Sequence, residues 1–258
     1  HIDFRPFKKG VNIAEQKDRE EQAEASREVI SYSLKNRLTG KVVELPYAQY
    51  MAEFKSYPRT DWEIIETKMT ESEVEHTKIS DFIIYGPDDE DVTDQLLTNP
   101  NPYFLLICHK LYYDSAKSVE VEVSDTTAVI ADTVIIGTDT SFVYEPKITT
   151  RRVNKRVFEW DKNFLDRFTS IILPFTKEAE AVGVKSVIVI GGADTGMITD
   201  FKDATGIDFT ACSADDILLK TIIRSNPGIV LMKQGQILDK WHYRHLPSFD
   251  QVQAKYIK

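Results

Sequence analysis

The chain has 258 residues, 42% hydrophobic and 28% charged, so it is long enough for one large domain or two ordinary ones and apolar enough to exclude wholesale disorder. Its 41 acidic residues against 32 basic ones leave a net charge of −9, which argues against a nucleic-acid partner. The two cysteines, Cys108 and Cys212, exclude a disulfide-rich scaffold, a four-cysteine zinc site and any Cys-x-x-Cys dithiol.

No apolar run approaches the ~18 residues that span a bilayer. The start, His1-Ile2-Asp3-Phe4-Arg5-Pro6, carries neither a methionine nor a signal-peptide pattern. The chain therefore reads as a mature, trimmed or excised soluble part, and His1 is given no functional weight. Residues 14–31 are glutamate-rich with few large apolar side chains, as in a solvated helix or a mobile lead-in. From Val29 the pattern becomes a hairpin. Ile30, Tyr32 and Leu34 alternate with polar residues, Thr39-Gly40-Lys41 turns the chain, and Val42 to Leu45 returns. A short helix or irregular piece over 47–57 follows, then strands at Trp62–Thr67 and Asp81–Tyr85. The acidic run Asp88-Asp89-Glu90-Asp91 lacks EF-hand spacing and reads as a solvated turn. Asn99-Pro100-Asn101-Pro102 breaks the chain and divides it into a β-rich segment, 1–98, and a second domain, 99–258.

Beyond that break, Tyr103 to Cys108 is a continuous apolar run, expected of a strand buried on both faces. Residues 119–158 are rich in Val, Ile, Thr and Tyr, punctuated by Gly137 and Pro146, and read as one or two β-hairpins within an insertion over 112–158. Its basic stretch, Arg151 to Arg156, reads as a solvated strand face. Asp161 is the expected N-cap of a long helix over 162–182 that Pro174 should kink and Gly183 should end. A strand at 186–190 and a helix around 196–204 come next. A short strand near 209–212 leads to a helix over 214–224. The terminal hairpin turns at Gln234-Gly235, and a last helix is capped by Ser248.

This order of elements, with Asn226-Pro227 just ahead of the terminal hairpin, resembles the thioredoxin-like fold: α/β, with a central mixed sheet. The resemblance covers about 160 residues from Tyr103 onward and implies a cis-proline at Pro227. A closer resemblance rests on Asp3-Phe4-Arg5-Pro6-Phe7-Lys8, Asp91-Val92-Thr93-Asp94, Leu219 to Gly228 and Lys240-Trp241-His242. These stretches are similar to the soluble C-terminal region of bacterial DoxX-type membrane proteins. In that family a four-helix membrane domain precedes a segment like 1–98 and a thioredoxin-like module. The resemblance implies a cell-envelope, extracytoplasmic (periplasmic) location and attachment to the membrane through that domain.

Dithiol chemistry needs a low-pKa thiolate at a helix N-terminus and a second thiol to resolve the mixed disulfide. Aligned on Pro174, the sequence has Asp166-Arg167-Phe168-Thr169 at that position; aligned on the helix start, it has Glu159-Trp160-Asp161-Lys162. Neither contains cysteine. Cys108 reads as a buried, inert thiol. Cys212, on a strand before a helix, is the candidate nucleophile if there is one. Gly191-Gly192-Ala193-Asp194-Thr195-Gly196 matches neither a dinucleotide fingerprint nor a P-loop and reads as a capped strand-to-helix turn. His242 and His245 lack the partners of a zinc site, and no Gly-x-Ser-x-Gly elbow supports a hydrolase. No cofactor is expected.

The resemblance leaves a peptide groove, near Trp160, Ser225, Asn226 and Pro227, with Trp241 as an aromatic wall. The leading expectation is a non-catalytic module for protein interaction or assembly, with a protein or peptide partner. The alternatives are a one-cysteine thiol peroxidase or reductase using Cys212, and a small-molecule or glycan binder using the insert at 112–158.

Overall fold

In the computed structural model, which describes residues 6–136 and 139–257, a five-stranded mixed sheet is the centre of the protein. Its strands are β4 (Tyr103–Cys108), β7 (Lys185–Gly191), β8 (Thr210–Ala214), β9 (Gly228–Lys233) and β10 (Gln236–His242), in the order β10-β9-β4-β7-β8. β4, β7 and β8 run parallel, while β9 and β10 form the antiparallel terminal hairpin. All six residues of β4 are buried, as its unbroken apolar run requires of a central strand covered on both faces.

Alternation along β4 divides the core in two. Phe104, Leu106 and Cys108 point to one face with Phe164, Phe168, Ile172 and Phe201; Tyr103, Leu105 and Ile107 point to the other. The first face is covered by α4 (Lys162–Arg167), α5 (Leu173–Ala181), α6 (Thr195–Thr205) and α8 (Phe249–Tyr256). The second is covered by α7 (Asp216–Ile222), by α3 (Thr93–Leu97) and by Phe7, Ile13, Ile79, Phe82 and Ile84. These last five come from the segment ahead of the Asn99–Pro102 break. The break therefore separates α3 from β4 in the chain, but one core crosses the expected boundary at 98/99. Without the N-terminal residues, α7 would be left to cover the sheet's second face without Phe7, Ile13, Ile79, Phe82, Ile84 and α3.

The long helix expected over 162–182 exists in three parts. Asp161 accepts from the Phe164 N–H at 2.6 Å and starts α4; a π-helical turn, Phe168–Ile172, then leads into α5. Pro174 lies in the first turn of α5, where its missing N–H is absorbed by the wider turn before it. Gly183 follows with φ of 81°, a left-handed turn suited to glycine.

Ahead of this body, α1 (Ile13–Ala25) is capped by Asn12 and is mostly exposed. Ile13, Ala23 and Glu20 are its buried residues, and the Glu20 carboxylate is held by Gln16 and by the N–H and hydroxyl of Thr77. β1 (Val29–Asn36), β2 (Val42–Pro46) and β3 (Trp62–Met69) make a separate antiparallel sheet in the order β2-β1-β3, with α2 (Tyr47–Glu53) after β2. Tyr32 packs against Tyr47 and Tyr50 of α2. The expected strand at Asp81–Tyr85 is not one. Phe82 and Ile84 insert into the second face of the core from an irregular segment, while Ile83 and Tyr85 are exposed. Only Tyr85 makes bridges, to Asp91 and to Ser213 on β8.

The insertion is one hairpin rather than two. β5 (Tyr113–Ile136) and β6 (Asp139–Trp160) pair along their whole length as a two-stranded arm. Gly137 lies outside the described residues. Pro146 sits within β6 opposite Ala128, tolerated because each strand of a ribbon has an unpaired edge. The basic stretch faces acids across the ladder: Arg151 pairs with Asp125, and Arg152 with Glu120 and Glu122. Among the described residues no helix is long and apolar enough to cross a membrane.

Candidate functional site

The arm leaves the body between β4 and α4. In the thioredoxin-like resemblance, the loop joining those two elements would carry the dithiol. Here the chain leaves β4 at Cys108, runs out and back through the arm, and re-enters at Trp160, one residue before the Asp161 cap. The root is packed tightly. Phe158 and Trp160 are buried, their rings 5.3 Å apart, and Tyr113 meets both edge-on. Asp200 on α6 accepts from the Trp160 indole and from the Phe158 N–H, while Arg156 pairs with Asp194, the cap of α6. The distal half of one arm face carries Ile130, Phe142, Tyr144 and Ile148, each at least half exposed.

Beside the root lies the Asn226-Pro227 peptide, which is cis. Ser225, Asn226 and Pro227 are all buried. Asn226 donates through Nδ2 to the Lys110 carbonyl at 2.7 Å, which ties it to the end of β4. The Asn226 carbonyl accepts from Nη1 of Arg167 at 2.7 Å. Ser225 accepts from the Tyr243 N–H at 3.2 Å. The Asn226 carbonyl thus spends one of its two acceptor sites on Arg167.

The five groove residues expected from the sequence are therefore only partly assembled. Ser225, Asn226 and Pro227 come together beneath Arg167. Trp160 belongs to the arm root, against Phe201 at 5.4 Å. Trp241 is half-buried on β10, edge-on to Tyr256, and no shared wall joins it to Trp160. The residues that sequence reasoning missed are Arg167, Tyr243 and Arg244. They border a groove of about 510 Å³ with Asn163, Asp166, Ser170 and Ile171. Arg167 had appeared only as a non-cysteine at the dithiol position.

Neither thiol is activated. Cys108 is fully buried, and burial pushes its pKa up to about 12. Cys212 is raised to about 11, mostly by burial and further by the negative charge of Glu90. Cys212 borders a cavity of about 640 Å³ between α6, β8 and the 86–89 turn, yet its side chain is almost covered. Both cysteines are free, and they lie on opposite faces of the sheet. The 191–196 loop is the capped turn its sequence suggests, with Asp194 accepting from the Met197 N–H at 2.9 Å. His242 stacks on Tyr243 and His245 lies 5.9 Å away. Among the described residues no three His, Cys, Asp or Glu side chains are arranged to hold a metal ion.

No protein-family model, curated protein or solved structure matches the chain. Its body is α/β, a five-stranded mixed sheet with helices on both faces.

Proposed function

We propose that this chain is a non-catalytic thioredoxin-like module, extracytoplasmic and attached to the membrane through a DoxX-type region, that serves protein interaction or assembly. The sheet order, the cis Asn226-Pro227 peptide ahead of the terminal hairpin and the helix opening at Asp161 support the fold assignment. One observation carries the functional reading: the loop position that would hold a redox dithiol holds the root of a β-arm. Thiol exchange requires an accessible thiolate, and both thiols here are buried with raised pKa values. A long solvated arm with exposed apolar side chains offers contact area to another protein instead.

The test is reduction and isomerisation of a disulfide substrate, such as insulin, in the presence of glutathione or dithiothreitol. We expect rates no higher than without the protein. Activity above that level which disappears in Cys212→Ser would overturn the reading.

A further inference from the structure

Two guanidinium groups and two imidazole rings meet around Tyr243. The Arg167 guanidinium lies 5.1 Å from the centre of the Tyr243 ring and that of Arg244 lies 5.5 Å from it. His242 stacks on the same ring at 4.6 Å, with His245 beyond it. Arg167 spends one nitrogen on the Asn226 carbonyl, and Arg244 bonds through Nε to the Tyr243 hydroxyl at 3.0 Å. Among the described residues neither guanidinium has a carboxylate partner. On the arm, by contrast, Arg151 and Arg152 are ion-paired with acids across the ladder and Arg156 with Asp194 at the cap of α6. Gathering like charges costs electrostatic energy that an anion between them would recover. The cost is visible at His242, held below the ordinary histidine range by burial and by Arg244, His245 and Arg167.

We propose that the groove between α4, the π-turn and the turn after β10 binds a carboxylate of an extended acidic peptide, with Arg167 and Arg244 as the guanidinium forks. The proposal rests on the protein-interaction reading above and names the chemistry of its partner. Guanidinium forks match carboxylate and phosphate alike. The opposite wall decides between them. Asn163, Asp166 and Ser170 lie at i, i+3 and i+7, so they share one helix face, and all three are exposed. Asp166 repels a phosphate dianion but accepts the N–H groups of a peptide backbone that accompany a side-chain carboxylate. The Ile171 and Tyr243 side chains add apolar surface for the methylene groups of a glutamate.

The experiment titrates the full chain with N-acetyl-tetraglutamate amide, with its tetraglutamine counterpart and with inorganic phosphate. Calorimetry and the Nε–Hε NMR signals of Arg167 and Arg244 provide the readouts. We expect the glutamyl peptide to bind and to move both arginine signals, with the glutamine peptide at least tenfold weaker. Arg244→Gln should lose at least tenfold, Arg244→Lys should recover part of that loss, and Arg152→Gln on the arm should change nothing. Arg244 is exposed, so an unchanged melting temperature verifies that its variants fold. Absence of glutamyl-peptide binding, equal binding by Arg244→Gln, or phosphate binding that the peptide cannot displace would each overturn the proposal. Disulfide reductase activity would overturn the parent reading and leave these titrations unaffected, so the two failures are distinct.

Discussion

Asp200 accepts a hydrogen bond from the indole N–H of Trp160 at 3.0 Å, and this contact joins the root of the arm to α6. The same carboxylate oxygen takes the Phe158 N–H at 3.3 Å, so one side chain satisfies two donors of the returning strand. Asp200→Ala leaves the indole N–H of a buried tryptophan without its acceptor, which costs about 1–3 kcal/mol. Denaturant unfolding should register that loss, and Asp200→Asn, which keeps an acceptor, should lose less. Equal stability of the alanine variant and the parent would contradict the role given to Asp200.

The arm itself should be dispensable for folding. Its inward contacts come from Tyr113, Phe158 and Trp160, while nearly all side chains described further out are exposed. Replacing residues 119–155 by Asn-Gly joins Ser118 to Arg156, which are cross-strand neighbours, through a two-residue hairpin turn. The shortened protein should melt within a few degrees of the parent and keep its near-ultraviolet circular dichroism. A collapse of the melting transition would show that the arm supports the body.

The two thiols should resist alkylation. A pKa raised from 9.0 to about 11 leaves on the order of 100-fold less thiolate at neutral pH, before burial slows the reagent. Labelling with iodoacetamide should therefore be slow at both cysteines and become fast in denaturant. Fast modification of Cys212 in the native protein would revive the one-cysteine peroxidase or reductase reading.

Asp239 ties three separate parts of the chain together. It pairs with Lys9 at 2.8 Å, bonds the Tyr256 hydroxyl and accepts the Lys240 N–H at 2.9 Å. Burial works to raise its pKa, but these bonds outweigh it and hold the carboxyl below the usual aspartate value. A carboxyl lowered on folding stabilises the native state above its unfolded pKa, near 3.8, and loses that contribution as pH falls through the lowered value. Asp239→Asn should thus destabilise the protein by about 1–3 kcal/mol at pH 7. It should also flatten the decline of stability below pH 4. An unchanged acid profile would contradict the assignment.

Much of the body was readable from local patterns. The unbroken apolar run at 103–108 specifies a strand covered twice, and Asp161 and Asp194 are caps because their side chains bond the N–H groups three residues on. The misreadings have a common cause in long-range packing. Phe82 and Ile84, in the stretch read as a strand, are apolar and spaced, yet they are inserted into a core shared with residues beyond the 98/99 break. Nothing local distinguishes one long hairpin from two short ones, because the choice depends on pairing between residues 113 and 160. Arg167 escaped notice for a similar reason. Its importance comes from the Asn226 carbonyl 59 positions away and from a tyrosine on the last turn.

The length of the arm has a mechanical consequence. Residues 139–155 of β6 lie beyond the anchored Arg156, Phe158 and Trp160, and at about 3.3 Å each they carry the ribbon roughly 55 Å from its anchorage. It is a lever with its fulcrum at Asp200 and Asp194, so a tilt of about 6° at the root swings the tip by roughly 6 Å on that strand length. Small repacking at α6 is amplified into a large displacement at the far end, and force applied at the tip returns, multiplied, to the body of the protein.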